Sequence, residues 1–197
     1  MTRHGDVRQK ILDAAEQRLW HYGFKKTTID EIASDAGVGK GTVYLYFDGK
    51  EEIGLAIVTG YKKRNLEQMA VIAQDARKSP VEKLTQMLQY PILHTNQSCR
   101  ESPAMQEMIV AIKPHIRDHI KPLTEEEYAL LASVLEEGNQ TGIFEVADTV
   151  SAARLLKMMT LAFMPPYPCV SEPEKMASEI ADMVALVVRG LRKCIEH

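Results

Sequence analysis

Apolar residues recur along this chain with helical spacing almost from end to end. Val7, Ile11, Ala15, Leu19 and Tyr22 share one side of a first helix. Ile29, Ile32, Ala33 and Ala36 then stand at i, i+3, i+4 and i+7, which gives a second helix one apolar face. Ile53, Ala56, Ile57, Gly60 and Tyr61 line a long helix from Gly49 into the 70s. Tyr128, Leu131, Ala132 and Leu135 form another stripe, and Leu155, Met158, Met159, Ala162 and Phe163 one more. The last stripe, Met176, Ala177, Ile180, Met183, Val184, Val187, Val188 and Leu191, is wider than one neighbouring helix usually covers. No segment sustains the alternation of a strand, so the pattern predicts an all-α protein.

Polar residues punctuate these stripes. Thr28 with Glu31, Ser79 with Glu82, Thr124 with Glu127 and Ser171 with Glu174 have capping-box spacing, and Asp48 and Asp148 are further caps. Pro91, Pro103, Pro114 and Pro122 predict breaks that cut the middle of the chain into short pieces, because proline lacks the helical N–H. Pro165, Pro166 and Pro168 end the helix before the last one.

The segment between Thr27 and Lys50 carries the most chemistry. Its first helix is about two turns long. Gly37 stops it, since glycine takes the left-handed conformation without steric cost. A second short helix runs from about Gly39 to Tyr46. Val43 and Phe47 are four apart and pack inward. Gly39 and Gly41 hold nothing that keeps the backbone away from a groove wall, and Lys40, Thr42, Tyr44 and Tyr46 offer an ammonium, a hydroxyl and two phenols. A helix that reads DNA needs this division between an apolar inner side and a polar outer one. Lys50, in the first turn of the next helix, stands where its ammonium and the helix amides can meet one phosphate.

The pattern extends over about 45 residues, through I-L-D-A-A-E-Q-R-L-W-H-Y-G (Ile11 to Gly23), F-K-K-T-T-I-D-E-I-A, G-V-G-K-G-T-V-Y-L-Y-F and K-E-E-I. In this register the chain resembles the tetracycline-repressor (TetR) family of transcription regulators. The resemblance implies a three-helix DNA-binding domain with a helix-turn-helix over residues 1–48, then a helical effector-binding and dimerisation domain over 49–197. It also implies DNA contacts from Thr28, Lys40, Thr42, Tyr44, Tyr46 and Lys50, with the backbone of Gly41 close by. A homodimer joined through the last two helices is a further implication. Two positions depart from the family: Gly39 stands where Ser or Thr is usual, and Asp48 puts a negative charge beside the expected backbone contact.

Composition narrows the function. With 45% hydrophobic and 26% charged residues, the chain is globular. No apolar run approaches a membrane span, and the N-terminal M-T-R-H-G-D-V-R has no signal-peptide core, so a cytoplasmic protein is expected. Cys99, Cys169 and Cys194 are far apart and form no disulfide framework. Net charge is −3, yet residues 1–50 hold eight Lys/Arg against seven Asp/Glu. The DNA module is therefore slightly basic on a mildly acidic body, and specificity has to come from a dimer and a few placed contacts. No nucleotide-binding or hydrolase motif is present, so no enzyme and no cofactor is expected.

The body is rich in methionine, a flexible side chain suited to pockets for varied apolar ligands. An apolar organic effector is expected among the middle helices, near Met105, Met108, Met158 and Phe163. The competing reading is a metal- or haem-binding sensor. His115 and His119 are four apart and share a helix face, with His94 and Cys99 as further ligands. The expectation is a ligand-responsive repressor that binds a palindromic double-stranded operator as a homodimer and leaves it when the effector binds.

Overall fold

The computed structural model describes residues 3–164 and 172–191, and these contain helices and turns but no strand. The elements are α1 (Arg3–Tyr22), α2 (Ile29–Asp35), α3 (Lys40–Tyr44), α4 (Lys50–Ala73), α5 (Pro80–Glu101), α6 (Pro103–Gln140), α7 (Thr149–Met159), a 3-10 turn (Thr160–Phe163) and α8 (Pro173–Leu191). Ser171, Tyr167, Cys169, Cys194 and the prolines at 165, 166 and 168 lie outside the described residues.

The chain forms two compact units. One comprises residues 1–62 and 98–120, and the other residues 63–97 and 121 onward. Helices α4, α5 and α6 each contribute residues to both. The first part of α6 shares a core with the N-terminal helices.

In the first unit Ile11, Ala15, Leu19, Phe24, Ile32, Val43, Phe47 and Ile53 bury together with Cys99, Met105, Met108 and Ile112. In the second, Met69, Leu84, Met87, Leu88 and Ile92 pack with Leu131, Leu135, Phe144, Leu156, Met176, Ile180, Val184 and Val188. Two ion pairs reach into this second unit. Lys83, with 5% of its side chain exposed, donates to both carboxylate oxygens of Glu137 at 2.8 and 2.7 Å. Lys157 meets Glu127 at 2.8 Å, and that carboxylate is 2% exposed. Removing one member of such a pair would strand a buried charge, which fixes the register of the helices that carry them.

The prolines do not break the middle. Pro91 lies inside α5, Pro114 and Pro122 lie inside the 38-residue α6, and Pro103 opens it. Each internal proline gives up one helical hydrogen bond, at a cost of about 3 kcal/mol. Buried neighbours on the same helices, such as Leu88 and Ile92 beside Pro91 and Ile112 beside Pro114, offset that cost. Thr124 and Glu127 consequently fall in mid-helix rather than at a cap. Where no tertiary partner competes, local capping holds. Ser79 and Glu82 exchange hydrogen bonds at the start of α5, and Asp148 accepts from the Ser151 amide at 2.9 Å to begin α7.

Candidate nucleic-acid interface

The reading helix is built by local rules. Thr28 Oγ1 accepts from the Glu31 amide at 3.3 Å, and Glu31 accepts from the Thr28 amide at 2.9 Å, closing the box that starts α2. Gly37 takes φ +67°, the left-handed value that glycine alone adopts cheaply. Its amide and that of Val38 bond back to Ser34 and Ala33. Gly39 is extended and accepts from the amides of Thr42 and Val43 without any side-chain cap, so the usual hydroxyl is absent at this helix start. Val43 is 0% and Phe47 2% exposed, so these two side chains anchor α3 to the core.

The opposite side faces outward. Thr28, Lys40, Gly41 and Tyr44 are exposed, and Thr42, Tyr46 and Lys50 are half-buried. Leu45 is 82% exposed, more than any other large apolar residue in this motif. Sequence reasoning overlooked it because its neighbours at 43 and 47 follow a packing period and it follows none. An outward leucine beside two phenols was the available signal.

Several cations around this face already have partners. Lys40 Nζ lies 2.8 Å from Asp30, whose hydrogen bond raises the lysine pKa. Arg18 spans Glu31 at 2.8 Å and Asp35 at 2.7 Å and ties α1 to α2. Its hydrogen bond, with those from the Thr28 amide and hydroxyl, holds Glu31 at about 2, well below the carboxylate value of 4.5. Arg8 lies over the Phe47 ring. Lys50 Nζ donates to the carbonyls of Phe24 at 2.6 Å and Thr27 at 2.8 Å. The expected phosphate contact thus has one of its three N–H groups left after these two bonds. Asp48 does not pair with Glu51. Its amide donates to Glu52 instead.

The four residues expected around an effector fall in different compact units. Met105 and Met108 are buried in the first unit, beside a void of about 10 Å³ that also meets Trp20 and Ile57. That volume is at the threshold for a single water. Met158 and Phe163 belong to the second unit, where Met158 is 60% exposed. Within that unit an open groove of about 680 Å³ runs between α4 and α6. Leu66, Ala70, Leu123 and Leu130 give it an apolar lining, and Lys63, Glu67 and Glu126 add charge.

His115 and His119 are both exposed. Among the described residues no group of three or more His, Cys, Asp or Glu side chains is arranged to hold a metal. Burial pushes the Cys99 thiol up to about 11, so it stays protonated and is a poor ligand and a poor redox sensor. Among the described residues no helix is long and apolar enough to cross a membrane.

Comparison with known proteins agrees with this geometry. The family described as bacterial regulatory proteins, tetR family, matches residues 11–57. The tetracyclin repressor-like C-terminal domain matches residues 80–188, more than half of the chain. The transcriptional regulator LmrA of Bacillus subtilis is 30% identical over 148 residues, covering 72% of this chain and 76% of that protein. Shorter matches to uncharacterised regulators of Lactococcus lactis and Bacillus subtilis each span 43% of the relative's length. A TetR-family regulator from Mesorhizobium loti shares the fold at TM-score 0.73 and 17% identity, covering 98% of this chain and 100% of the other. FadR of Bacillus subtilis, solved in complex with stearoyl-CoA, does so at TM-score 0.64 and 19% identity, covering 89% and 96%. The helix-turn-helix, the helical C-terminal domain and these matches lead to one statement: the chain belongs to the TetR family of bacterial transcriptional regulators.

Proposed function

We propose that this regulator is a ligand-responsive homodimeric repressor that holds a palindromic operator in the cytoplasm and releases it when a small molecule binds. The observation that carries the reading is the polarity of α3. Val43 and Phe47 are sealed in the core while Lys40, Gly41, Tyr44 and Leu45 face outward. Thr28, Thr42, Tyr46 and Lys50 flank that face as further DNA contacts, of which Thr42 and the phenols suit base edges and Lys50 a phosphate.

Dimerisation is supported by apolar side chains left outside on the last elements. Leu155 is 61%, Met158 60%, Leu161 50% and Leu186 68% exposed. Such side chains mark an interaction surface where they form one contiguous patch. Met158 is thereby reassigned from the effector pocket to the subunit contact, and Val184, 1% exposed, belongs to the chain's own core.

The groove between α4 and α6 of the second unit supports effector binding there. Its volume falls within the range of small-molecule sites, and its apolar lining with a few charges suits an amphipathic organic molecule. The stearoyl-CoA bound by the FadR relative is a ligand of that general kind. Effector binding would favour a spacing of the two reading helices that no longer matches successive major grooves, about 34–36 Å apart.

A gel-shift titration with the DNA upstream of the protein's own gene tests the reading. A retarded band competed by unlabelled promoter but not by unrelated DNA is expected. Equal competition by both would sink it.

A further inference from the structure

The turn between α1 and α2 is gripped from two sides by opposite charges. Lys50, in the first turn of α4, donates to the carbonyls of Phe24 and Thr27 and lies 4.6 Å from the centroid of the Phe24 ring. Glu107, on α6, supplies the complement: its Oε2 accepts from the Phe24 amide at 3.0 Å and the Lys25 amide at 3.5 Å. Its other oxygen lies 3.7 Å from Lys25 Nζ. Thr27 closes the turn by donating its hydroxyl to the Gly23 carbonyl at 2.8 Å. Gly23 has φ +87°, and a Cβ there would stand 2.9 Å from Glu107 Oε2. The turn's glycine is therefore what lets the carboxylate come so close.

We propose that Glu107 is a positioning residue for operator recognition, acting through this turn; the proposal rests on the operator-binding reading above. Thr27 is followed directly by Thr28, the cap of α2, and Ile32 and Ala33 of α2 share a buried cluster with Val43 and Phe47. A displaced turn moves the cap, α2 and, through that cluster, α3. The base from which Glu107 acts is well fixed. Met108 and Ile112 on the same helix are 2% and 0% exposed, and a Cβ on Gly54 of α4 would meet Ile112, Met108 and the Phe24 ring within 3.4 Å. Among the described residues the Glu107 carboxylate is the acceptor for the Phe24 amide, so it determines where this peptide group sits. The helix-turn-helix is thereby referenced to α6 as well as to α1 and α4.

The test uses the full-length chain and three variants, Glu107→Ala, Glu107→Gln and Glu107→Asp. Fluorescence anisotropy would give the Kd for the promoter fragment of the gel shift and for a scrambled duplex at one salt concentration. Hydrogen exchange would follow the amides of residues 23–28. Glu107→Ala is expected to raise the operator Kd by about tenfold, the low end of what one charge-assisted hydrogen bond is worth. Binding to the scrambled duplex should be unchanged or tighter, since a negative charge has gone, and exchange at Phe24 should accelerate. Glu107→Gln keeps an acceptor oxygen and should stay within about threefold of the wild type. A Glu107→Ala variant that binds the operator as well as wild type overturns the proposal, and so does a Gln variant as weak as the Ala one. If the Ala variant does not fold, Glu107→Asp, one methylene short of the turn, decides by the same comparison with Gln. A wild type with no operator preference sinks the operator reading itself and this proposal with it.

Discussion

Replacing Lys50 with methionine asks whether this lysine serves the fold or the DNA. Methionine keeps the length of the stem and removes the ammonium. Two charge-assisted hydrogen bonds are lost, to the Phe24 and Thr27 carbonyls, together with the contact on the Phe24 ring. A hydrogen bond to a charged group is worth about 1.5–3 kcal/mol, and a cation on an aromatic face about 0.5–1 kcal/mol at a partly exposed site. The two bonds share one cation and one turn, so they do not add fully. A net loss of about 2–4 kcal/mol is expected. For a chain of this size each kcal/mol moves the midpoint by about 2–4 °C, so thermal unfolding without DNA should fall by roughly 5–15 °C. The second measurement is the slope of log K against log salt on operator DNA. One phosphate contact per subunit contributes about 0.9 to it. Thermal stability within error of the wild type, with the slope reduced by that amount per subunit, would refute the argument. It would show that the carbonyl bonds are dispensable and that the lysine acts on DNA alone.

Other outcomes follow from the same geometry. Gly138→Ala improves helix propensity by about 1 kcal/mol but places a Cβ 2.0 Å from the buried Phe144 ring, so a net loss of about 1–3 kcal/mol is expected in denaturant titration; a stabilised variant would contradict the packing described. Leu186→Glu should give a folded monomer by light scattering, whereas Val184→Glu should unfold the second unit, because only the latter side chain is buried within its own chain. A folded dimer of the Leu186 variant would place the subunit contact elsewhere. Glu31 has a depressed pKa, so its contribution to stability is complete above the unfolded value of 4.5 and is lost as pH falls toward about 2. Glu31→Gln should therefore flatten the acid limb of the midpoint-against-pH curve below 4.5, and an unchanged acid limb would show that the Arg18 pairing adds nothing.

What could be read in the sequence was local. The box at Thr28 and Glu31, the left-handed Gly37 and the cap at Ser79 and Glu82 each depend on residues within one helical turn. Helix α3 was legible for the same reason. What could not be read depended on distant partners. Thr124 and Glu127 have the spacing of a cap, yet Glu127 is drawn to Lys157, 30 residues on, and the helix runs through. The internal prolines are helix breakers in isolation, and packing of their neighbours overrules them. Met105 and Met108 have the composition of a pocket lining, but the turn of α6 that carries them packs against the N-terminal helices. On α8 the stripe is so broad that its phase cannot be fixed from sequence. The structure selects Met176, Ile180, Val184 and Val188 as the inner line and leaves Leu186 outside.

The engagement of the cations bears on how this protein would recognise DNA. Lys40 rests on Asp30, Arg18 on Glu31 and Asp35, Lys25 against Glu107 and Lys50 on two carbonyls. Phosphate binding must share or displace these partners. Lys40 and Asp30 are both well exposed, and an exposed pair of this kind contributes little to stability, so exchange of the carboxylate for a phosphate is nearly neutral. Arg18 is different. It is held by two carboxylates with 17% of its side chain exposed, and releasing it would loosen α1 from α2. Beyond the exposed Lys26, electrostatic affinity therefore has few independent sources here, in keeping with one excess positive charge over the first 50 residues. On the proposed reading, discrimination would fall to groups that need no charge: the 48% exposed phenol of Tyr44 and the 82% exposed side chain of Leu45. A leucine there suits a thymine methyl and rejects the bare edge of cytosine, and an apolar contact of this sort is insensitive to salt. The consequence is a regulator whose preference for its operator over other DNA should persist at ionic strengths that weaken both.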